Sequence, residues 1–495
     1  MNEKTLTNKT VSGISWKFAE RIAAQAVTFV VSVIIARILS PDDYSVISIA
    51  AIFFAFANVF IYSGLNTALI QKKDADITDY SSVLFVSLIV SIVLYAILFF
   101  CAPLIASIYK KEILVSVIRV MGLTLIIGAV NSILGAYISN RLEFRKFFFA
   151  TIIGTVISAF VGIYMAVSGF GVWALVAQQM TNCTIDTIIL WIVTRFRPTI
   201  GISKERLKPM LSYGWKIFVS SMITTAYDEA FPLIIGLKFT PADLAFYSKG
   251  KSVPSTASSA IGDTISAVIF PIMSKLQDDR EKLLEYTRKF IMVSSFAVLP
   301  MLVGLFAVSD NLVSVLLTDK WLPASFYLRI FCLSFITISI NNAHLQAIRA
   351  LGRSDLILKM EIVKKVSYLL FVVSALALSS RPQVLAYVVL AAAVVATIIN
   401  TYPCVKLINY SYLKQLSDLK ANAITAFIMG SVVFAMNYLP GNKLLVLVGQ
   451  IAVGVVIYVS LNLVLKNSAL IFCRELIKDY FGHKDKRYED NQTIN

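Results

Sequence analysis

The chain has 495 residues, of which 58% are hydrophobic and 15% are charged, and its formal net charge is +16. Soluble globular proteins have about 45–50% apolar and about 25% charged residues, whereas the mean hydropathy here is +0.77. The apolar residues are concentrated in segments long enough to cross a bilayer, so the composition excludes a soluble protein and predicts an integral membrane protein. We expect no nucleic-acid partner.

Fourteen apolar segments follow one another along the chain, joined by short loops and followed by a polar, basic tail. Runs of about 20 apolar residues are typical of helices, whereas barrel strands are shorter and alternate in polarity. We therefore predict an all-α integral membrane protein with about 14 transmembrane helices. The predicted spans are 11–37, 44–64, 81–102, 113–136, 147–168, 171–194, 211–238, 242–275, 287–308, 324–349, 359–379, 383–407, 422–440 and 444–466.

The distribution of Lys and Arg predicts the orientation of the chain. With a cytoplasmic N-terminus, the inner loops and tail carry roughly three times as many Lys and Arg as the outer loops. The positive-inside rule therefore places both termini in the cytoplasm, an orientation that requires an even number of spans. The head of the chain lacks the short apolar region and small-residue cleavage site of a signal peptide, so we expect the first span to direct insertion.

One sequence pattern occurs twice, six spans apart. Residues 34–44 end the first span and begin the second, and residues 234–244 repeat the pattern with Ser or Thr followed by Pro-x-Asp. A second correspondence relates Asn131 to Asn341 near the ends of spans 4 and 10. Because six is an even number of spans, both copies have the same orientation in the membrane. Parallel repeats of this kind are a known transporter architecture. We predict two parallel-repeat six-helix lobes at 1–200 and 201–410, two further helices within 411–470, and a cytoplasmic tail at 471–495.

The residues offer little for catalysis or for a metal site. The five cysteines are scattered singly, with no ligand spacing between them, and the chain has two histidines. Lys249–Ser252 resembles the end of a phosphate-binding loop, but Ala245 stands where that loop needs glycine, and no strand precedes it. We therefore predict that the protein is not an enzyme, with no catalytic residue, no metal and no organic cofactor.

Ionisable residues inside apolar spans are costly and mark candidate functional sites. Basic residues on the duplicated spans suit an anionic cargo, because Arg and Lys form charge-assisted hydrogen bonds with phosphate oxygens. We predict that these side chains line a water-filled chamber between the lobes. The predicted contacts to an anionic headgroup are Arg21, Lys249 and Lys251, followed by Lys17 and Lys216.

Other intramembrane charges have two interpretations. Asp228 on span 7 can carry H⁺ or Na⁺ and couple transport to an ion gradient, or it can act as a counter-ion for a nearby Lys. A further group is expected to pair internally or to reach the headgroup region. Its members are Arg119, Arg329, Glu361, Lys364 and Lys365.

Five segments carry patterns that recur in a known family, and they lie in order through spans 1 to 11: 16–44, 63–73, 270–279, 320–324 and 347–355. Together they resemble the bacterial Wzx-like polysaccharide flippases of the multidrug/oligosaccharidyl-lipid/polysaccharide exporter superfamily. Ser45 and Ala245 stand where the family pattern tends to have glycine, a departure that can alter packing at the two corners.

The resemblance implies a flippase of the bacterial cytoplasmic membrane. Such proteins move an undecaprenyl-diphosphate-linked oligosaccharide repeat unit from the inner to the outer leaflet by alternating access, for O-antigen, capsule or exopolysaccharide biosynthesis. The implied partners are the lipid-linked oligosaccharide and the bilayer, with polysaccharide polymerase and glycosyltransferases as further candidates. Two alternatives remain: a cation-coupled multidrug exporter of the same superfamily, and a non-transporting scaffold of a polysaccharide assembly complex.

Overall fold

The computed structural model describes residues 23–72, 75–141, 143–199, 201–378 and 381–471. Within these ranges the regular structure is helical, with two short 3₁₀ turns at Asp319–Trp321 and Met436–Tyr438. The α-helices are α1 Ala23–Ile38, α2 Pro41–Tyr62, α3 Leu65–Gln71, α4 Ile77–Tyr109, α5 Ile113–Arg141, α6 Phe144–Val167, α7 Val172–Thr194, α8 Lys204–Lys238, α9 Pro241–Lys275, α10 Arg280–Leu317, α11 Pro323–Phe335, α12 Ile338–Ala350, α13 Ser354–Leu378, α14 Gln383–Leu407, α15 Tyr412–Ala435 and α16 Lys443–Val464.

In the described part of the chain, nine helical segments are long and apolar enough to cross a membrane. Four other long helices, α7, α8, α9 and α13, are less apolar because they carry many of the polar and charged residues that the sequence singles out. The protein is therefore an all-α, multi-pass membrane protein. One predicted span is interrupted, since α11 ends at Phe335 and α12 begins at Ile338.

The two repeated corners form the same local structure. At the first, the Ser40 hydroxyl accepts from the Asp43 backbone N–H at 3.2 Å, and the Asp43 carboxylate accepts from the Ser40 N–H at 3.0 Å. At the second, Thr240 and Asp243 make the same two bonds at 3.2 and 3.1 Å. Each corner is thus a reciprocal capping box with Pro as the first helical residue, where its missing N–H costs nothing.

The chain divides into two compact units, residues 1–245 and 246–495. In the first unit a core cluster joins the helices from α3 to α8, and it includes the fully buried Leu69, Val83 and Leu190. Helix α8 also packs on the junction between α2 and α3. There a Cβ on Gly214 would lie 2.8 Å from the carbonyl carbon of Gly64, so two backbones are in direct contact.

In the second unit, amide side chains attach α15 and α16 to α10. The fully buried Gln450 donates to Asn437 Oδ1 at 2.9 Å and accepts from Asn311 Nδ2 at 3.1 Å. Elsewhere on α10 and α15, Asn422 donates to Ser295 Oγ at 2.8 Å and accepts from Asn467, which follows the end of α16. Buried polar groups are stable in a membrane when they satisfy each other, so this network stabilises the position of the two last helices.

Polar contacts inside the two units match each other in spacing. Asn131 on α5 donates to Thr187 on α7 at 3.1 Å, and Asn341 on α12 donates to Thr397 on α14 at 3.1 Å; both pairs are 56 positions apart. Each threonine hydroxyl donates to the carbonyl four residues earlier. The asparagines that correspond in sequence therefore make the same interhelical bond.

Candidate functional site

The middle of α8, a long helix of the first unit, carries both basic and acidic residues. Its fully buried residues lie toward its two ends, and positions 215–230 contain none. Lys216 and Asp228 are exposed on this middle stretch. They are twelve positions apart, or roughly 18 Å along the helix axis, so they do not form an ion pair with each other. The helix presents a basic group and an acidic group at different depths.

Both ends of α8 are fixed by contacts in which a side chain would not fit. At one end Gly214 contacts the backbone of Gly64 and Leu65, and at the other a Cβ on Gly236 would lie 2.8 Å from the Tyr109 ring. Pro209 and Pro232 lie a few residues before these two glycines. Helix α8 is thus held at its ends while its polar middle remains accessible.

On α9, Lys249 and Lys251 flank a close helix–helix contact at Gly250. A Cβ on Gly250 would lie 2.6 Å from Tyr327 Cβ and 2.9 Å from the Ala324 carbonyl oxygen, so α9 contacts the beginning of α11 through backbone. Residues on either side of a helical position point about 100° away from it in opposite senses. The ammonium group of Lys249 lies 6.0 Å from the centroid of the buried Trp321 ring, where a cation–π attraction is available.

The predicted site residues fall into three groups. Lys249 and Lys251 lie on one helix of the second unit, and Lys216 and Asp228 lie on one helix of the first. Lys17 and Arg21 lie outside the described residues.

Three of the charges that were expected to pair internally or to reach the headgroup region form ion pairs. Arg329 on α11 forms an ion pair with Asp310 on α10, and it also donates to the Ser309 hydroxyl at 2.6 Å. Lys364 pairs with Glu361 one turn earlier on α13 at 2.5 Å. Such pairing lowers the cost of placing charge in a membrane and gives these residues a structural role.

A polar cluster between α5, α6 and α7 was not identified as a unit from the sequence. Asn131 donates to the Asp186 carboxylate at 2.8 Å, and Asn182, one turn before Asp186, lies 3.4 Å from the hydroxyls of Thr155 and Ser158. The signal was present as polar residues four positions apart on α7, which share a helix face. Among the described residues, no group of three or more His, Cys, Asp or Glu could hold a metal ion.

Comparison with known proteins extends over nearly the whole chain. A family described as polysaccharide biosynthesis protein matches residues 34–326. The succinoglycan biosynthesis transport protein ExoT of Rhizobium meliloti (strain 1021) is 22% identical over 95% of both chains. The lipopolysaccharide biosynthesis protein WzxC of Escherichia coli (strain K12) is 22% identical over 73% of this chain and 74% of its own.

Solved structures share the fold at low sequence identity. The lipid II flippase MurJ, in an inward closed conformation, superimposes with a TM-score of 0.71 and 14% identity, covering 94% of this chain and 100% of its own. A multidrug resistance transporter of the MATE family, in an inward-facing conformation, gives a TM-score of 0.58 and 16% identity, covering 80% of this chain and 99% of its own. The family match spans more than half of the sequence, and the chain belongs to the polysaccharide biosynthesis protein family.

Proposed function

We propose that the protein is a flippase of the bacterial cytoplasmic membrane that moves an undecaprenyl-diphosphate-linked oligosaccharide repeat unit to the outer leaflet for surface polysaccharide biosynthesis. The observation that carries the proposal is membership of the polysaccharide biosynthesis family, with an alignment to a succinoglycan transport protein along 95% of both chains. The transported unit keeps all its covalent bonds. The protein lowers the cost of passing charged and hydrated groups through hydrocarbon, so its role is transport and not catalysis.

The proposal includes fourteen transmembrane helices with both termini in the cytoplasm. The asymmetry of Lys and Arg supports this orientation. Two parallel six-helix lobes, 1–200 and 201–410, are supported by the identical capping boxes of the two corners and by the matched Asn–Thr bonds. Helices α15 and α16 fall outside the duplication, and their amide network holds them against α10.

We place the diphosphate on basic side chains of the duplicated helices. Lys249 and Lys251 are supported by their position on either side of the Gly250 contact, which fixes the direction in which each side chain leaves α9. Lys216 is supported by its exposure on the polar middle of α8. Arg21 and Lys17 complete the set. Ammonium and guanidinium groups in a low-dielectric chamber bind phosphate oxygens more strongly than they do in water.

Asp228 is our candidate for coupling to H⁺ or Na⁺. It is exposed on α8 at a position roughly 18 Å along the axis from Lys216. A carboxylate on a helix that also carries the proposed headgroup contact can link cation binding to cargo release. The test measures how export depends on the proton or sodium gradient in the wild type and in Asp228→Asn. Loss of this dependence in Asp228→Asn would support the coupling role. An unchanged dependence in the variant would refute it.

Deletion of the gene tests the proposed function. We expect loss of surface polysaccharide and accumulation of the lipid-linked unit on the cytoplasmic side, both restored by the wild-type gene. Normal export in the deletion strain would refute the flippase function. Retention of the lipid-linked unit in the inner leaflet, measured by accessibility to an impermeant glycan label, separates a flippase from a scaffold. A scaffold would affect polymer assembly and leave the labelled fraction unchanged.

Site variants test the placement of the diphosphate. Arg21→Ala and Lys251→Ala should each reduce export at an unchanged level of membrane-inserted protein. Lys282→Ala is the matched control, because Lys282 is exposed at the start of α10 and pairs with Asp279 in the same turn. Export at the wild-type level in all three variants would assign Arg21 and Lys251 to structural roles.

A multidrug exporter is the second candidate, and the similarity to a MATE transporter fold favours it. A cationic drug requires an acid-lined chamber, whereas the duplicated helices carry several basic residues. Increased sensitivity of the deletion strain to cationic drugs, with normal polysaccharide, would favour this alternative.

A further inference from the structure

Two arginines occupy matching positions in the two units but have different surroundings. Arg119 lies on α5 and Arg329 lies on α11, and the Nε of each donates to the residue 20 positions earlier on the preceding long helix, Phe99 on α4 or Ser309 on α10. The spacing is the same in both units, but the acceptors differ: Arg119 donates to the backbone carbonyl of Phe99, and Arg329 donates to the side-chain hydroxyl of Ser309. Any difference between the two arginines therefore arises from the residues around them.

The difference is a carboxylate. Arg329 pairs with Asp310, the residue after Ser309, whereas the residue after Phe99 is Phe100. Among the residues that the structure describes, Arg119 has no acidic partner. Its hydrogen bond to the Phe99 carbonyl is long, at 3.4 Å, and its guanidinium carbon lies 4.1 Å from the centroid of the Phe99 ring. The duplicated arginine is neutralised in the second unit and carries a net charge in the first.

The unused donors of Arg119 require an acceptor. A guanidinium has five N–H donors, and within the described part of the chain one of them, on Nε, has a protein acceptor. A partly buried arginine with four donors left over is costly in a membrane unless an anion or water satisfies them. Its planar, paired terminal NH₂ groups match the geometry of a phosphate group.

The surroundings of Arg119 indicate that the anion comes from lipid. Phe99 contacts Phe100, whose ring centroid is 5.6 Å away and whose side chain is 78% exposed. Ile97 and Leu104, on the same helix, are also more than half exposed. Large apolar side chains exposed on a transmembrane helix face acyl chains, so Arg119 lies beside the lipid-facing surface of α4.

The depth of Arg119 is compatible with a phosphate headgroup. Helix α4 has 33 residues, or about 50 Å, and therefore exceeds the roughly 30 Å hydrocarbon thickness by about 20 Å. If the excess is shared equally between its ends, Phe99 lies about 5 Å below the hydrocarbon boundary, since it is ten residues, or about 15 Å, before the end of the helix. A flexible arginine beside it reaches the headgroup region.

We propose that Arg119 binds the phosphate of an anionic phospholipid at the outer surface of the α4–α5 hairpin, and that Asp310 prevents the equivalent Arg329 from doing so. The proposal goes beyond the flippase function and takes from it only the outward position of the loop between α4 and α5. It makes the first unit, but not the second, a specific lipid-binding unit.

Lipid binding to the purified full-length protein tests the proposal independently of export. Native mass spectrometry of delipidated protein titrated with phosphatidylglycerol gives the affinity of the tightest sites, with phosphatidylethanolamine as the zwitterionic reference. We expect Arg119→Gln to weaken the tightest phosphatidylglycerol site about tenfold, as expected when a charge-assisted bidentate contact is lost. Arg329→Gln is the matched control and should remain within about twofold of wild type.

Exchanging the carboxylate supplies a second, independent measurement. Phe100→Asp gives Arg119 an acidic neighbour like that of Arg329 and should weaken phosphatidylglycerol binding as Arg119→Gln does. Asp310→Asn leaves Arg329 unpaired and should add a second site. Unchanged binding in Arg119→Gln would overturn the proposal, as would equal losses in Arg119→Gln and Arg329→Gln. It is also overturned if Arg119→Gln weakens binding of undecaprenyl diphosphate but not of phosphatidylglycerol, since Arg119 would then contact cargo.

Discussion

Gly214 is the position at which one methyl group should disturb the first unit most clearly. A Cβ there would lie 2.8 Å from the carbonyl carbon of Gly64, 2.9 Å from its oxygen and 3.2 Å from the Leu65 nitrogen. All three are backbone atoms, so no rotamer change can relieve the overlap. Overpacking costs typically about 1–3 kcal/mol, and two rigid backbones place this site at the upper end. Ala favours the helical conformation over Gly by roughly 0.5–1 kcal/mol, which offsets part of this cost. The free energy of unfolding should therefore fall by about 2 kcal/mol.

The assay for Gly214→Ala is thermal unfolding of the purified protein in detergent, with Gly304→Ala as the matched control. Gly304 also lies in a helix, but a Cβ there would meet the flexible end of Met429 at 3.9 Å, which is ordinary contact. We expect Gly304→Ala to raise the melting temperature slightly and Gly214→Ala to lower it. If Gly214→Ala were as stable as Gly304→Ala, the direct contact of α8 with the α2–α3 junction would be refuted.

Two further predictions concern polar contacts. A double-mutant cycle of Asn341→Val and Thr397→Val can be measured by unfolding in mixed micelles. We expect a coupling energy of roughly 0.6 kcal/mol, the usual size for interhelical hydrogen bonds in membranes. Additive effects of the two substitutions on the free energy of unfolding would contradict the hydrogen bond. Asp76, which caps α4, has its pKa held below the ordinary value by the Asp79 backbone N–H and then by the Arg206 guanidinium. Because the folded pKa is the lower one, its contribution to stability is present above about pH 4 and is lost as the pH falls through the folded pKa. Melting temperatures between pH 6 and 3 should therefore fall less steeply in Asp76→Asn, and equal slopes would exclude this contribution.

Local structure at the two corners follows from the sequence alone. Ser or Thr followed by Pro-x-Asp contains both partners of a capping box within four residues, so no distant contact is needed to form it. The all-α membrane class likewise depends on local sequence, because each predicted span is itself apolar and long enough to cross a bilayer. The correspondence of Asn131 and Asn341 was also predictable from the sequence. Their hydrogen-bond partners, Thr187 and Thr397 respectively, were not.

The candidate site shows where prediction from sequence ends. Lys249 and Lys251 can be recognised in the sequence as intramembrane charges. The close packing of Gly250 between them depends on α11, which begins about 70 residues later in the chain. Similarly, Arg119 and Arg329 are alike in sequence as isolated basic residues in apolar spans. Whether each one pairs depends on which residue the preceding helix places beside it.

The sequence by itself determined the membrane class, the repeated corners and the family, because these depend on composition and on short patterns whose parts are adjacent in the chain. Tertiary structure decided which charges are neutralised and which remain. It also decided that α8, the helix that begins the second repeat in the sequence, packs against α2, α3 and α4 in the first compact unit. Helix–helix packing in a membrane depends on small residues and on complementary polar groups from distant segments, and the partner of a glycine such as Gly214 cannot be identified from its neighbours in the chain.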